Sequence, residues 1–389
     1  MIRPEELLYL DNNATTAIDP AVLESMRPFL EEFFANPSSG YGFAAQVREA
    51  IEEARQQVAD LLGCEAREII FTSGGTESNN TAFYSALEAA PDRRHVVTTA
   101  VEHSAVLRPA KDLENRGYAV TFLAVDKAGQ LNLNKLADAI RPDTTLLSVM
   151  WANNETGVIF PIEKVAAIAR EKKVPFHTDA VQAAGKIEIK LGDVPLQFLS
   201  ISGHKLHGPK GVGALYVNRL ARFRPLLRGG SHENNRRAGT ENTASIIGLG
   251  KAAEIARAKM RDEQGRVRKM RDRFEQCLLE RISGARINGA GADRLPNTSS
   301  IMFDGIESGA ALLMLDQRNV CCSAGSACRT GSLKPSHVLS AMGLLGDEAR
   351  GSLRFSFGRF NTNAEVDRAV KIVPEVITKL RALSPALAN

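Results

Sequence analysis

The residues best placed to do chemistry in this chain are a lysine and an aspartate, each delivered by a short apolar run. Phe198-Leu199-Ser200-Ile201-Ser202 leads through Gly203 and His204 to Lys205, and Val174-Pro175-Phe176-His177-Thr178 ends in Asp179. Apolar runs of this length, bounded by turn residues, predict strands. An amine and a carboxylate at two strand ends are what pyridoxal phosphate (PLP) requires. The lysine forms a Schiff base with the aldehyde, and the carboxylate keeps the pyridine nitrogen protonated so that the ring withdraws electrons. Taken singly, Lys205 would be a solvated surface lysine and Asp179 a helix N-cap. The apolar strand and glycine turn before Lys205 argue against the first reading.

Other residues could complete such a site. Gly74-Gly75-Thr76 lies between an apolar run and a helical pattern, where two glycines admit a ligand close to the backbone and a helix N-terminus suits a phosphate. No Gly-Lys-Ser/Thr closes it, so it is not a nucleotide P-loop; an ordinary turn is the plain alternative. Gly208–Gly213 leads into a strand and reads as turn chemistry. Ser202 and His204 could hold the same phosphate. His103, after Glu102, could stack on a planar ring or cap a helix. Arg354 alternates with Leu353, Phe355 and Phe357, so its guanidinium fork either takes a carboxylate in two parallel bonds or faces solvent. The segment Arg228–Asn242 holds one apolar residue, Ala238; in it Arg236, Arg237 and Thr240 suit an anion. Cys328 sits among small residues and two glycines, which predicts an accessible thiol on a mobile loop. Arg329 or a histidine nearby would raise its thiolate fraction; the plain alternative is an idle surface cysteine.

The surrounding elements must place these groups. Val47, Ile51, Val58, Leu61 and Leu62 keep helical spacing up to Gly63. Ile69–Phe71, His95–Thr99, Ala119–Val125, Leu146–Trp151 and Ala214–Val217 read as strands, with helical stretches such as Pro161–Lys172 between them. This alternation predicts a mostly parallel sheet covered on both faces. A long helix over Ile255–Ile282, then Thr298–Phe303, Gly351–Phe357 and a terminal helix, predict a smaller α/β domain. The expected division is 16–257 for the large domain, with 1–15 and 258–389 forming the small one. The basic stretch Arg266–Arg273 reads as the wet face of that long helix.

Composition narrows the function classes. The chain has 389 residues, 44% of them hydrophobic, and a net charge of +4, too small and dispersed to argue for nucleic acid. No apolar run approaches a membrane span, and no signal peptide is expected. Five sparse cysteines do not make a disulfide framework and fit a reducing cytoplasm. Cys277 and Cys64 have packing roles. Cys321, Cys322 and Cys328 lack the clustered histidine of a metal site.

Taken together, Ser202-Gly203-His204-Lys205, His177-Thr178-Asp179-Ala180-Val181-Gln182, Asn153-Asn154-Glu155-Thr156-Gly157 and Gly325-Ser326-Ala327-Cys328 resemble the cysteine desulfurases of the NifS/IscS type, in the class V PLP-dependent aminotransferase family. Tyr9–Thr16 and Asn36-Pro37-Ser38-Ser39 match that family's opening motifs. The likeness runs in order from about residue 8 to the C-terminus. It implies a PLP-dependent transferase fold of the aspartate-aminotransferase type, PLP as cofactor and a homodimer. By the same likeness, Lys205 carries the cofactor, Asp179 pairs with its pyridine nitrogen, Gln182 bonds its hydroxyl, His103 stacks on it and Asn154 lies beside it. Gly75, Thr76, Ser202 and His204 would hold the phosphate, with Thr240 arriving from a second subunit. Arg354 would grip the L-cysteine carboxylate, and Cys328 would take its sulfur as a persulfide, leaving L-alanine. No resident metal is implied, although Cys328 would transiently ligate an iron–sulfur cluster. A sulfur-accepting scaffold protein is the implied partner, in iron–sulfur cluster assembly related to nitrogen fixation. The alternatives are a selenocysteine lyase or aminotransferase on the same fold, or a non-catalytic sulfur carrier.

Overall fold

The computed structural model describes residues 6–324, 336–344 and 346–383. Its strands are β1 (Leu8–Tyr9), β2 (Ile69–Thr72), β3 (His95–Thr99), β4 (Ala119–Leu123), β5 (Thr144–Ser148), β6 (Phe176–Asp179), β7 (Phe198–Ser202), β8 (Gly213–Val217), β9 (Ala285–Ile287), β10 (Thr298–Phe303), β11 (Val320–Cys321) and β12 (Ser352–Ser356).

Seven of them form one sheet in the order β2-β8-β7-β6-β5-β3-β4. The pairs from β7 through β4 are parallel, while β8 runs antiparallel to both β2 and β7. Every residue of β2, β3, β5, β6, β7 and β8 is buried. Burial on both faces explains why these segments read as unbroken apolar runs. The strand order reverses between β3 and β5, and at such a switch point the carboxyl ends of the strands open a crevice. Asp179 ends β6, Ser202 ends β7, and His103 and Asn154 follow β3 and β5, so the crevice collects them.

The strand expected at Leu146–Trp151 runs over Thr144–Ser148 instead. Val149, Met150 and Trp151 are buried but continue past the ladder, where Trp151 N donates to the Asp179 carbonyl at 2.9 Å. The long helix runs over Thr243–Arg281 and starts well before Ile255. Its residues up to Met260 pack in the core under the large sheet. From Val267 onward they pack with β10, β12 and the terminal helix Asn363–Leu383 in a second core. The proposed border after residue 257 therefore falls inside a continuous helix, just before this change of core. The wet-face reading fails at Arg271. This arginine is buried, and it donates to the carbonyls of Leu295 and Thr298 and pairs with Glu275, which in turn pairs with Arg294.

The smaller sheet, β12-β10-β9, is antiparallel. The N-terminal segment returns to it: β1 pairs with β11, and Asp11 bridges to Ser356. No helix among the described residues is long and apolar enough to cross a membrane.

Candidate active site

One asparagine gathers four of the candidate residues. The Asn13 carbonyl accepts from Lys205 Nζ at 2.5 Å and from Gln182 Nε2 at 2.9 Å. Asn13 Nδ2 donates to the Asn154 carbonyl at 3.1 Å and to Thr298 Oγ1 at 2.8 Å. The Asn154 carbonyl also accepts from Arg354 at 3.0 Å. Lys205 reaches the neighbouring Ala14 carbonyl as well, at 2.5 Å. Lys205, Gln182, Asn154 and Arg354 thus meet around residues 13 and 14, although they come from four separate segments.

Asp179 stands beside this cluster. One carboxylate oxygen accepts from Asn79 Nδ2 at 2.7 Å, and the other accepts from Val181 N at 3.0 Å. The second contact is the turn-capping bond expected of an aspartate before Ala180. The first comes from the helix Gly75–Ala89 and fixes the carboxylate from the other side.

That helix begins at the glycine pair. A Cβ on Gly75 would lie 2.7 Å from Val181 and 3.6 Å from Ser202 Cβ, and one on Gly213 would strike Gly74 at 2.7 Å. Side chains are excluded here because β7, β8 and the helix start press together, leaving amide N–H groups and the Ser202 hydroxyl at one point. Such a cradle suits an anion. Thr76 is exposed on the first turn. His204 Nδ1 lies 3.2 Å from Thr15 Oγ1. Burial pushes its pKa down to about 4, helped by the cations Lys205, Lys210 and Lys186.

His103 caps the helix Ser104–Asn115, its Nδ1 accepting from Ala105 N at 3.2 Å. That bond assigns the ring hydrogen to Nε2. Burial lowers its pKa. Asp179 opposes the shift, while Lys205 and His337 reinforce it, so the imidazole is neutral at neutral pH. Capping and ring stacking are compatible, since the cap uses one nitrogen and leaves the ring faces.

Arg354 is buried in β12, which removes the solvent-facing alternative. It pairs with Asp11 at 2.7 Å, and its Nε is buried with no partner among the described residues. An orphaned guanidinium donor is costly and is a place for an acidic ligand. Arg236 and Arg237 are engaged by groups of the chain itself. Arg236 donates to the carbonyls of Arg67 and Ile69, and Arg237 pairs with Glu77 at 3.0 Å. Thr240 is exposed and borders, with Thr72, Ser73 and Arg237, a cleft of about 210 Å³. Cys328 lies outside the described residues.

Some participants carry no local signal. Asn13 and Asp11 belong to a recognisable opening motif, but their roles come from partners hundreds of residues away. Glu102 is fully buried, accepts from Thr99 Oγ1 and Met150 N, and keeps Oε2 unpartnered. Burial pushes its pKa up to about 8. A carboxyl group beside a histidine reads in sequence as a solvated side chain, and only the strand packing shows that it is buried.

An Aminotransferase class-V family model matches residues 8–369. The chain belongs to the aminotransferase class-V family. This is a family of PLP enzymes, and the residues above fit that cofactor: an amine, a doubly fixed carboxylate and an anion cradle lie at the ends of neighbouring strands of one sheet. The class-V chain is 51% identical over 379 residues to a protein of Azotobacter vinelandii named cysteine desulfurase NifS, covering 97% of this chain and 94% of that one. It is 52% identical to cysteine desulfurase 2 of Trichormus variabilis, covering 97% and 95%. Among solved structures, a NifS-like protein superposes with a TM-score of 0.91 at 37% identity, covering 96% of this chain and all of that one. The expected fold is therefore the fold present.

Proposed function

We propose that this class-V enzyme is a cysteine desulfurase that takes sulfur from L-cysteine onto Cys328 and releases L-alanine. The carbon–sulfur bond of the substrate breaks, a sulfur–sulfur bond forms at Cys328, and the carbon that lost sulfur gains a proton. When bound through Lys205, PLP supplies an electron sink for the substrate's α-carbon. The chain's own residues do the rest. Arg354 holds the substrate carboxylate with its unpaired Nε and the fork it shares with Asp11. Lys205 moves a proton at the α-carbon. Asp179, fixed by Asn79 and Val181, would hold the proton on the ring nitrogen. Neutral His103 and Asn154 would flank the ring, and Gln182 would donate to its hydroxyl. Gly75, Thr76, Ser202 and His204 would bind the phosphate.

The observation that carries this reading is the meeting of Lys205 and Arg354 on one hub, Asn13 and Asn154, beside Asp179. It supplies an amine for the cofactor and a cation for the substrate carboxylate. The test is incubation of the PLP-loaded protein with L-cysteine and a thiol reductant. Alanine and sulfide in equal amounts are expected. A keto acid in place of alanine would indicate an aminotransferase, and no product would indicate a carrier; either result refutes the proposal.

Further parts of the reading rest on the family. The protein acts in the cytoplasm as a homodimer, and Thr240 reaches the phosphate of the second subunit. Its exposure supports this, as does an apolar surface of Leu23, Leu30, Phe34 and Tyr41 with the packed rings of Phe29, Phe33 and Phe43 beneath. Cys328 passes sulfur to a scaffold for iron–sulfur clusters of the nitrogen-fixation type, a reading supported by the resemblance to a protein named NifS. Capture of a scaffold protein under reducing conditions, lost in Cys328→Ala, tests that step.

A further inference from the structure

A second lysine stands behind the first. Lys186 Nζ donates to Gln182 Oε1 at 2.7 Å, Gln182 Nε2 donates to the Asn13 carbonyl at 2.9 Å, and Lys205 Nζ donates to the same carbonyl at 2.5 Å. The two lysines also border one cavity of about 50 Å³, together with Asn12, Thr16 and Asn297. The backbone at Lys186 is held firmly. Its carbonyl accepts from Gln264 Nε2 at 2.7 Å, and a Cβ on the preceding Gly185 would meet Leu206, the residue after Lys205, at 2.4 Å.

The chemistry of this chain of contacts is directional. A side-chain amide has a donor end and an acceptor end of nearly the same shape, whereas a lysine ammonium has donors only. Lys186 can therefore accept only one orientation of Gln182, with Oε1 toward itself and the N–H groups toward Asn13 and the site. We propose that Lys186 is a positioning residue of the cofactor site, fixing Gln182 as a hydrogen-bond donor and placing a positive charge behind the ring hydroxyl that Gln182 serves. This rests on the assignment of Gln182 and Lys205 made above.

The surrounding charges make the ammonium depend on a bound anion. Burial, with the cations Lys205 and Arg354, pushes the Lys186 pKa down to about 7, so an anion nearby is what keeps the group fully protonated at neutral pH. Lys186 in turn depresses His204 and His207. The acid bordering the cavity, Glu263, is engaged by Arg359, which also pairs with Asp19. A bound ligand with an anionic ring oxygen would supply the negative charge that this group of cations lacks.

The test uses the full-length protein loaded with PLP and three variants: Lys186→Met, Lys186→Gln and Lys186→Arg. The readouts are the pH titration of the bound cofactor's absorbance and the dissociation constant for PLP. Loss of a nearby cation should raise the titration midpoint by about one unit in Lys186→Met and weaken PLP binding about tenfold. Lys186→Gln retains a donor without charge, so it should shift the midpoint while holding PLP more tightly than the Met variant. Lys186→Arg should restore both values. Should Lys186→Met fail to fold, the Gln and Arg pair still gives the comparison. A midpoint identical to wild type in the uncharged variants overturns the proposal. Failure of the wild-type protein to carry the cofactor on Lys205 would instead overturn the site assignment beneath it.

Discussion

Arg354→Lys isolates the role given to the guanidinium fork. Among the described residues the Arg354 side chain in β12 contacts Asp11 at 2.7 Å and the Asn154 carbonyl at 3.0 Å, and its Nε is buried and unpartnered. Lysine keeps a positive charge beside Asp11, so the half-buried carboxylate is not stranded. Full removal, as in Arg354→Met, would leave that carboxylate without its partner and would confuse binding with folding. Lysine cannot offer two parallel donors to a substrate carboxylate. One lost bond to a charged group is worth about 1.5–3 kcal/mol, or roughly 12- to 150-fold. The carboxylate takes no part in bond breaking, so the loss should appear mainly as a raised KM with kcat little changed. Steady-state alanine production over a range of L-cysteine concentrations measures both. The inhibition constant of L-alanine should weaken by a similar factor, whereas ethylamine, which lacks the carboxylate, should bind wild type and variant alike. A KM within about twofold of wild type, in a variant that retains PLP, would refute the role.

Other consequences follow from the same geometry. Gly75→Ala puts a methyl group 2.7 Å from Val181 and should weaken PLP binding about tenfold, or about 1.4 kcal/mol; Val181→Ala in the same chain should recover part of it, and an unchanged dissociation constant would exclude the cradle. Cys328→Ala should hold PLP normally yet release no sulfide from L-cysteine, so undiminished turnover would reject the nucleophile. Glu102 has a folded pKa raised to about 8 against about 4.3 unfolded, so the native state binds the extra proton between those values. Its contribution to stability is complete below pH 4 and is lost as pH rises toward 8. Glu102→Gln removes that loss, so its melting temperature relative to wild type should rise from pH 5 to pH 8 in the cofactor-depleted protein, and a constant difference would contradict the buried neutral acid.

Much of this molecule is legible in its sequence, for physical reasons. Strands buried on both faces leave apolar runs, and the residues after such runs are where a parallel sheet exposes its chemistry, which is why Lys205 and Asp179 stand out. The helix Thr243–Arg281 is readable in the sequence only from Ile255 onward. Its first half contains Gly248 and Gly250, residues that weaken helices. The structure explains Gly250 by contact, since a Cβ there would lie 2.5 Å from Ala54 Cα of the helix Gly42–Leu62. Arg271 was misread because its partners, the Leu295 and Thr298 carbonyls and the Glu275–Arg294 pair, become neighbours only on folding. Asn13 is the extreme case. Its backbone and side chain meet Lys205, Gln182, Asn154, Thr298 and Asn297, and nothing near it in sequence distinguishes it from the adjacent Asn12. Positions whose role is to join distant segments carry no periodic signal.

The central claim is that the amine at position 205 carries the cofactor within this crevice. Borohydride reduction of the PLP-loaded protein, followed by digestion and mass spectrometry, tests it directly. The pyridoxyl mass should appear on the peptide containing Lys205 and vanish in Lys205→Ala. A label on Lys186 or any other lysine, with none on Lys205, would contradict the account.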